Sequence, residues 1–179
     1  MRKWFAYGGI AASLVLMAFG IGAIVVGAQG LNEVRDSLAE QKITATDDAA
    51  EITNGDLQPG EEIDTGAEAK AFAEIMEFHA LESTEGRRYA EMGRYLTASG
   101  EDTSDEAEAA KDPTTGRPVE NGLRNLWVTQ TALATALNVA FFAERVAWFS
   151  IVMGIALLLT GIGFLVLTLG GALGTPLRS

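Results

Sequence analysis

Two apolar runs, residues 4–28 and 146–177, contain no charged residue. Each exceeds the roughly 20 residues that an α-helix needs to cross ~30 Å of hydrocarbon. A chain with two such runs has few options. Either lipid is their solvent, or they must bury each other completely inside a protein. The hydrophilic stretch between them favours the first option, since residues 33–145 hold all 24 acidic residues. Of the 13 basic residues, only Arg2, Lys3 and Arg178 lie outside that stretch, which leaves it at net −14, ten bases against 24 acids.

The charge distribution also orients the chain. Short basic flanks stay on the cytoplasmic side of a membrane. The expected layout is a cytoplasmic N-terminus at 1–3 and a first transmembrane helix at 4–28. An acidic extracytoplasmic helical domain at 29–145 follows. A second transmembrane helix at 146–171 and a cytoplasmic C-terminus at 172–179 complete it. The expected localisation is the cell membrane, multi-pass. A segment of net −14 repels phosphates, so no nucleic-acid partner is expected. There are no cysteines, which excludes disulfides and thiolate metal sites. A competing reading treats residues 1–28 as a signal peptide cut after Val26-Gly27-Ala28, with mature protein beginning at Gln29. The apolar core is longer than the 7–15 residues typical of cleaved signals, so retention is expected.

Along the chain, Leu31, Val34 and Leu38 keep helical spacing, so the first helix is expected to continue beyond the span. Ile43 to Thr46 interrupts it, and Asn54-Gly55 and Pro59-Gly60 signal turns. A second helix is expected from Asp64 or Thr65 to about Leu81, with Phe72, Ile75, Met76 and His79 on one face. A shorter helix over 87–96 would align Tyr89, Met92 and Leu96. Residues 100–118, rich in Asp, Glu, Ala, Thr and Gly, read as a solvated loop. The spacing of Asp102, Asp105 and Glu108 does not fit a calcium-binding EF-hand loop. From Gly122 a continuous helix to Leu173 is expected, since no proline occurs between Pro118 and Pro176. In its first part Arg124, Thr131, Asn138 and Arg145 form a polar stripe, and Leu126, Leu133, Leu137 and Ala140 an apolar one. Trp148 and Trp4 suit the outer and inner membrane interfaces.

Small residues recur every seven positions in both spans: Ala6, Ser13, Gly20 and Gly27 in the first, Ala147, Gly154, Gly161 and Thr168 in the second. Such faces let helix backbones approach closely in lipid, and the period favours left-handed coiling. A close antiparallel hairpin is expected. The same faces would equally receive helices of a larger complex.

Few residues carry chemistry. His79 is the only histidine. No second His or Cys accompanies it, and a Glu-x-x-His pair would need an acid where Met76 stands. A structural histidine with a hydrogen-bond partner is expected over a catalyst or ligand. Arg87, Arg88 and Arg94 offer cationic contacts to an anionic ligand or partner, with Tyr89 beside them. The plainer reading is surface pairing with Glu82, Glu85 or Glu91. Neither span contains Asp, Glu, Lys, Arg or His, the groups that ion and proton pathways need. Phosphate-binding loops, nucleophile elbows, zinc-protease helices and dinucleotide fingerprints are missing from the sequence.

The order of segments resembles a group of small actinobacterial membrane proteins of unassigned function. The resemblance rests on the basic N-terminus and first span, then Val34, Leu38 and Ile43-Thr44. It continues through Ala73-x-Ile75, His79-x-Leu81, Thr84-x-Gly86 and Tyr89-Ala90-Glu91-Met92, followed by the second span. Some proteins of this kind are labelled aromatic ring-opening dioxygenases. That chemistry needs several His or carboxylate ligands around an open metal position, and a single His does not supply them.

The expected fold is all-α: a two-helix transmembrane hairpin whose helices extend into a small extracytoplasmic helical domain. The expected function is non-catalytic, as a structural or accessory subunit of a respiratory or other envelope complex. Its partners would be membrane lipid, and other membrane subunits or further copies of itself. The alternative is an extracytoplasmic ligand-binding or sensing module that acts through a partner, since the short cytoplasmic ends leave no room for a transducer. A small-molecule thermal-shift screen of the protein separates the two. No enzyme activity and no cofactor are expected.

Overall fold

Helix α1 runs Arg2–Glu40, 39 residues, in a computed structural model that describes residues 2–172. The apolar run ends well before the helix does. Beyond it, Leu31 and Leu38 remain buried at a seven-residue step, and this one-sided burial carries the helix onward. It stops where Lys42 takes φ 52, with the Gln41 and Lys42 N–H groups bonding back to Leu38 and Ala39. The chain forms two units, Met1–Ser37 with Phe142–Ser179, and Leu38–Phe141.

The second unit begins with a closed excursion. Thr44 and Glu62 form an antiparallel bridge, and the Ala45 and Ile63 N–H groups bond across it to Glu61 and Ile43. Between these ends lies the single-turn helix α2, Ala49–Ile52. Ala49, Leu57 and Ile63 are fully buried there. Asn54 and Gly55 both take positive φ, as the Asn-Gly turn signal requires.

Helix α3 runs Gly66–Ser83 and starts with a capping box. The Thr65 side chain accepts from the Glu68 N–H, and the Glu68 carboxylate accepts from the Thr65 N–H at 2.9 Å, so two otherwise orphaned donors are satisfied. Its buried residues are Gly66, Ala69, Ala71, Ala73, Ile75 and Ala80. Phe72, Met76 and His79 are only half-buried. The inward face is therefore shifted from the one that side-chain bulk suggests: alanines let α3 pack closely, and the larger residues flank the contact.

Residues 87–121 depart from the sequence reading. Instead of a helix over 87–96 there is a 3-10 turn at Tyr89–Glu91 and a strand β1, Tyr95–Leu96. Strand β2, Asp102–Thr103, pairs with it antiparallel, Tyr95 opposite Thr103 and Leu96 opposite Asp102. Residues 100–118 are not a free solvated loop. Bridges join Tyr95 to Glu120, Thr97 to Ala109 and Lys111 to Pro118, and ladder bonds run from Leu96 N to Val119 O and from Ala110 N to Leu96 O. The fold is thus mostly helical with a short β element. Gly93 explains the break in helix: a Cβ there would lie 2.5–2.6 Å from the Thr103 backbone, so β2 approaches where only glycine fits.

Helix α4 runs Gly122–Leu169, 48 residues. Asn121, 2% exposed, starts it. Its side-chain oxygen accepts from Leu123 N–H and Arg124 N–H, while its amide donates to Gly93 O. The helix ends four residues short of Leu173. Gly171 takes φ 82, and Gly170 N and Ala172 N bond back to Val166 O and Leu167 O, a glycine-terminated stop. The two long helices, Trp4–Glu40 and Gly122–Leu169, are long and apolar enough to cross a membrane.

The polar stripe of α4 is exposed at Thr131, Asn138 and Arg145, but the expected apolar stripe is corrected in part. Trp127, Gln130, Leu137 and Glu144 are buried, whereas Leu126 and Leu133 are exposed. Both sides of this helix are apolar over 125–143, so periodicity does not single out the inward one.

Candidate functional site

Within the unit formed by residues 1–37 and 142–179, α1 and α4 run antiparallel along a seam of small residues. A Cβ placed on Gly20 would lie 2.7 Å from Gly154 O and 2.7 Å from Leu158 N. One on Gly154 would meet Gly20 O at 2.6 Å, one on Gly27 would meet Ala147 O at 2.7 Å, and one on Gly161 would meet Ser13 O at 2.9 Å. The pairs therefore step by seven in opposite directions along the two helices. The same register sets Ala6 opposite Thr168, and both are buried, as are Ser13 and Ala147. Side chains at these positions are small because backbone meets backbone.

Four hydroxyls in the unit bond to their own helices. Ser13 Oγ donates to Gly9 O, Ser150 Oγ to Val146 O, Thr160 Oγ1 to Ala156 O and Thr168 Oγ1 to Phe164 O, at 2.7–2.9 Å. Eight residues beyond Gly27 on α1 and three before Ala147 on α4, Arg35 donates to Glu144 at 3.0 Å. The Glu144 side chain is 9% exposed and that of Arg35 43%. This pair was not foreseen from the sequence.

The polar residues singled out from the sequence lie in the other unit. His79 Nε2 donates to Asp48 Oδ2 at 2.6 Å, with both side chains partly exposed. The Asp48 carboxyl is held below its ordinary pKa by the Thr46 hydroxyl and by His79. The Arg87 guanidinium pairs with Asp102 at 2.8 Å and that of Arg88 with Glu77 at 2.8 Å, while Glu91 is met through the Arg88 backbone N–H, which donates to its carboxylate at 2.7 Å. Tyr89 lies under the Arg124 guanidinium, 3.8 Å from ring centroid to cation. Arg88 sits 5.6 Å from the Trp127 ring. Arg88 is thus placed at Trp127 and Tyr89 at Arg124, three residues earlier on α4, whereas His79 pairs with Asp48.

Trp127 is the residue the sequence reading missed. It is 4% exposed and packs with Ala80 and Met92, flanked by Leu81. Its Nε1–H donates to Arg87 O at 2.9 Å, and the buried Thr84 hydroxyl lies 2.6 Å from the same carbonyl. Its signal was available: an aromatic in an uncharged helical stretch, apart from the two tryptophans at the apolar ends.

Asp102 ties the β element to the arginines. Its carboxylate accepts from Gly93 N–H and from Arg87, and these two contacts, in that order, hold its pKa below the ordinary value. Such a group stabilises the fold above its unfolded pKa, and the contribution disappears as pH falls through the lower folded value. Asp102→Asn is therefore expected to lower the unfolding temperature at pH 7. The gap to the unsubstituted protein should close in acid, below the ordinary carboxylate range. A gap that persists unchanged at the lowest pH would contradict this role.

Among the described residues, no three His, Cys, Asp or Glu side chains gather as a metal site. What the arrangement offers chemically is packing surface and paired charge. No protein-family model, curated protein or solved structure matches the chain.

Proposed function

We propose that the chain is an integral membrane protein with two spans. It acts without catalysis, as a structural or accessory subunit of a membrane complex. The carrying observation is the inverted placement of bulk in α1 and α4. The small residues are inside the seam. Phe5, Phe19 and Val26 are 67%, 70% and 65% exposed, and Phe149, Leu159 and Val166 are 64%, 63% and 63% exposed. Only 11% and 17% of the most apolar stretches of the two helices are buried. A helix pair in water is held by burying its large apolar side chains. A pair in lipid gains nothing that way and associates through close backbone packing. The internally satisfied hydroxyls agree with this, since hydrocarbon offers no partner to an open polar group.

The helices would form a hairpin with both termini in the cytoplasm, following the basic ends, and with residues 29–145 outside. The Arg35–Glu144 pair would then sit at the outer edge of the hydrocarbon, where charge is tolerated. The acidic unit carries paired charges and a capped, well-packed frame with no cluster of reactive groups among the described residues, which favours a scaffold or docking role over chemistry.

The test has two parts. Washing membranes at alkaline pH should leave the protein in the pellet, and protease added to sealed spheroplasts should cut within 29–145. Release by the wash defeats the membrane reading, and protection of that segment defeats the orientation. Purification in mild detergent should then recover an assembly larger than one chain. A lone monomer defeats the subunit role.

A further inference from the structure

Asn-Gly occurs twice in the chain, at 54–55 and at 121–122. Asparagine is a thermolabile residue, and a following glycine, with no Cβ to hinder close approach, makes it most so. The glycine nitrogen loses its proton to hydroxide and attacks the Asn side-chain Cγ. An N–Cγ bond forms, the Cγ–Nδ2 bond breaks, and the leaving nitrogen takes a proton from water to depart as ammonia. Water then opens the resulting succinimide at one of two carbons. Opening at Cγ gives aspartate. Opening at the Asn backbone carbon breaks the original peptide bond and gives isoaspartate, whose main chain runs through the former side chain. The chain and water are the reactants throughout.

The fold treats the two sites differently. Asn121 is 2% exposed. Its oxygen accepts from the Leu123 and Arg124 N–H groups, and its amide nitrogen, the group that must leave, donates to Gly93 O at 3.1 Å. Water and hydroxide reach this amide only when the β element and the start of α4 come apart. Asn54 and Gly55 are both exposed. What withholds the Gly55 nitrogen is the bond from its N–H to Ala50 O at 2.9 Å, at the end of a helix of four residues. Opening so short an exposed segment costs far less than opening a core element.

We infer that Asn54-Gly55 is a self-modification site of the folded protein, deamidating through local opening at the end of α2, while burial preserves Asn121-Gly122. The chemistry is the same whichever side of a membrane the segment occupies. Its product acts on the excursion closed by Thr44 and Glu62. Thr53, 5% exposed, donates from Oγ1 to Ala49 O at 2.7 Å and accepts there from Leu57 N–H at 3.1 Å. This clamp spans Asn54 and Gly55 and seats the fully buried Leu57. An aspartate product keeps the length of the main chain. An isoaspartate adds a methylene between Thr53 and Leu57, so the clamp and the burial of Leu57 cannot both be kept.

Full-length protein in mild detergent is held for days at mildly alkaline pH, with and without denaturant, then digested and read by peptide mass spectrometry. Without denaturant, conversion at Asn54 should exceed that at Asn121 by roughly tenfold or more, the ratio set by the two opening equilibria. In denaturant the two sites, each followed by glycine, should convert at similar rates. Asn54→Gln, which would have to close a larger ring, should abolish the product at that position. Aged protein carrying isoaspartate should be cut by added protease within 43–63 faster than the Asn54→Asp variant, which has the new charge without the longer main chain. Equal conversion of the two sites in the folded protein would overturn the inference, as would conversion of both in denaturant and of neither without it. Equal protease resistance of the isoaspartate form and Asn54→Asp would overturn the effect on the clamp.

Discussion

Gly20→Ala and Gly154→Ala are expected to destabilise the helix pair, and the corresponding Ile substitutions to separate it. At both positions the added Cβ would fall 2.6–2.7 Å from partner backbone, and backbone has no rotamer through which to yield. The helices would have to move apart, which forfeits contacts along the whole seam. Overpacking of this kind costs about 1–3 kcal/mol per site, and an Ile side chain extends the conflict well past that. The internal comparison makes the test sharp. Gly22 and Gly163 lie in the same two helices with nothing within 4 Å of an added Cβ. Gly22→Ala and Gly163→Ala should therefore be neutral or stabilising by up to ~1 kcal/mol, through the helix preference of alanine alone. Thermal unfolding in mild detergent reads the difference. Equal effects at seam and non-seam glycines would mean that close backbone approach does not hold α1 and α4 together.

Residue spacing marks which side of each long helix is small, but not which glycine meets which. Pairing Gly20 with Gly154 depends on the chain between the helices, whose length and closure no local pattern encodes. Helix ends were legible where the chemistry is local: Thr65 with Glu68, three residues apart, specifies a start without tertiary help. Gly170 and Gly171 likewise specify a stop, though a proline count alone overshoots it. The β element was hidden for the opposite reason. Its strands are two residues long, and its bonds join residues 96 and 119 or 94 and 121, so no period appears in either segment. Polar composition over 100–118 describes solvent exposure correctly and says nothing of backbone closure. The arginine partners were missed by the same logic. Glu82, Glu85 and Glu91 are near Arg87 and Arg88 in sequence, whereas Asp102 and Glu77 are brought to them by the β turn and by α3.

Trp127→Ala should produce the largest loss in the unit of residues 38–141. Three contributions meet at this side chain. It fills the space between Ala80 and Met92, residues too small or too flexible to close over a vacancy without rearrangement. Its indole N–H holds the Arg87 carbonyl, in the turn from which Arg87 reaches Asp102. Its ring face also meets the Arg88 guanidinium, a contact of ~0.5–1 kcal/mol where partly exposed. Removing a buried Trp costs about 3–5 kcal/mol. Trp127→Phe keeps most of the volume and loses the hydrogen bond, about 1 kcal/mol, so the two variants separate packing from bonding. Fluorescence follows both: Trp4 and Trp148 are 80% and 45% exposed, leaving Trp127 as the tryptophan shielded from an aqueous quencher by the protein itself. In the unsubstituted chain, denaturant should open that shielded emission together with the loss of the Asp102-dependent pH effect, since Arg87 links the two. Were Trp127→Ala to leave the unfolding midpoint unchanged, the side chain would not be the keystone between α3, the β turn and α4.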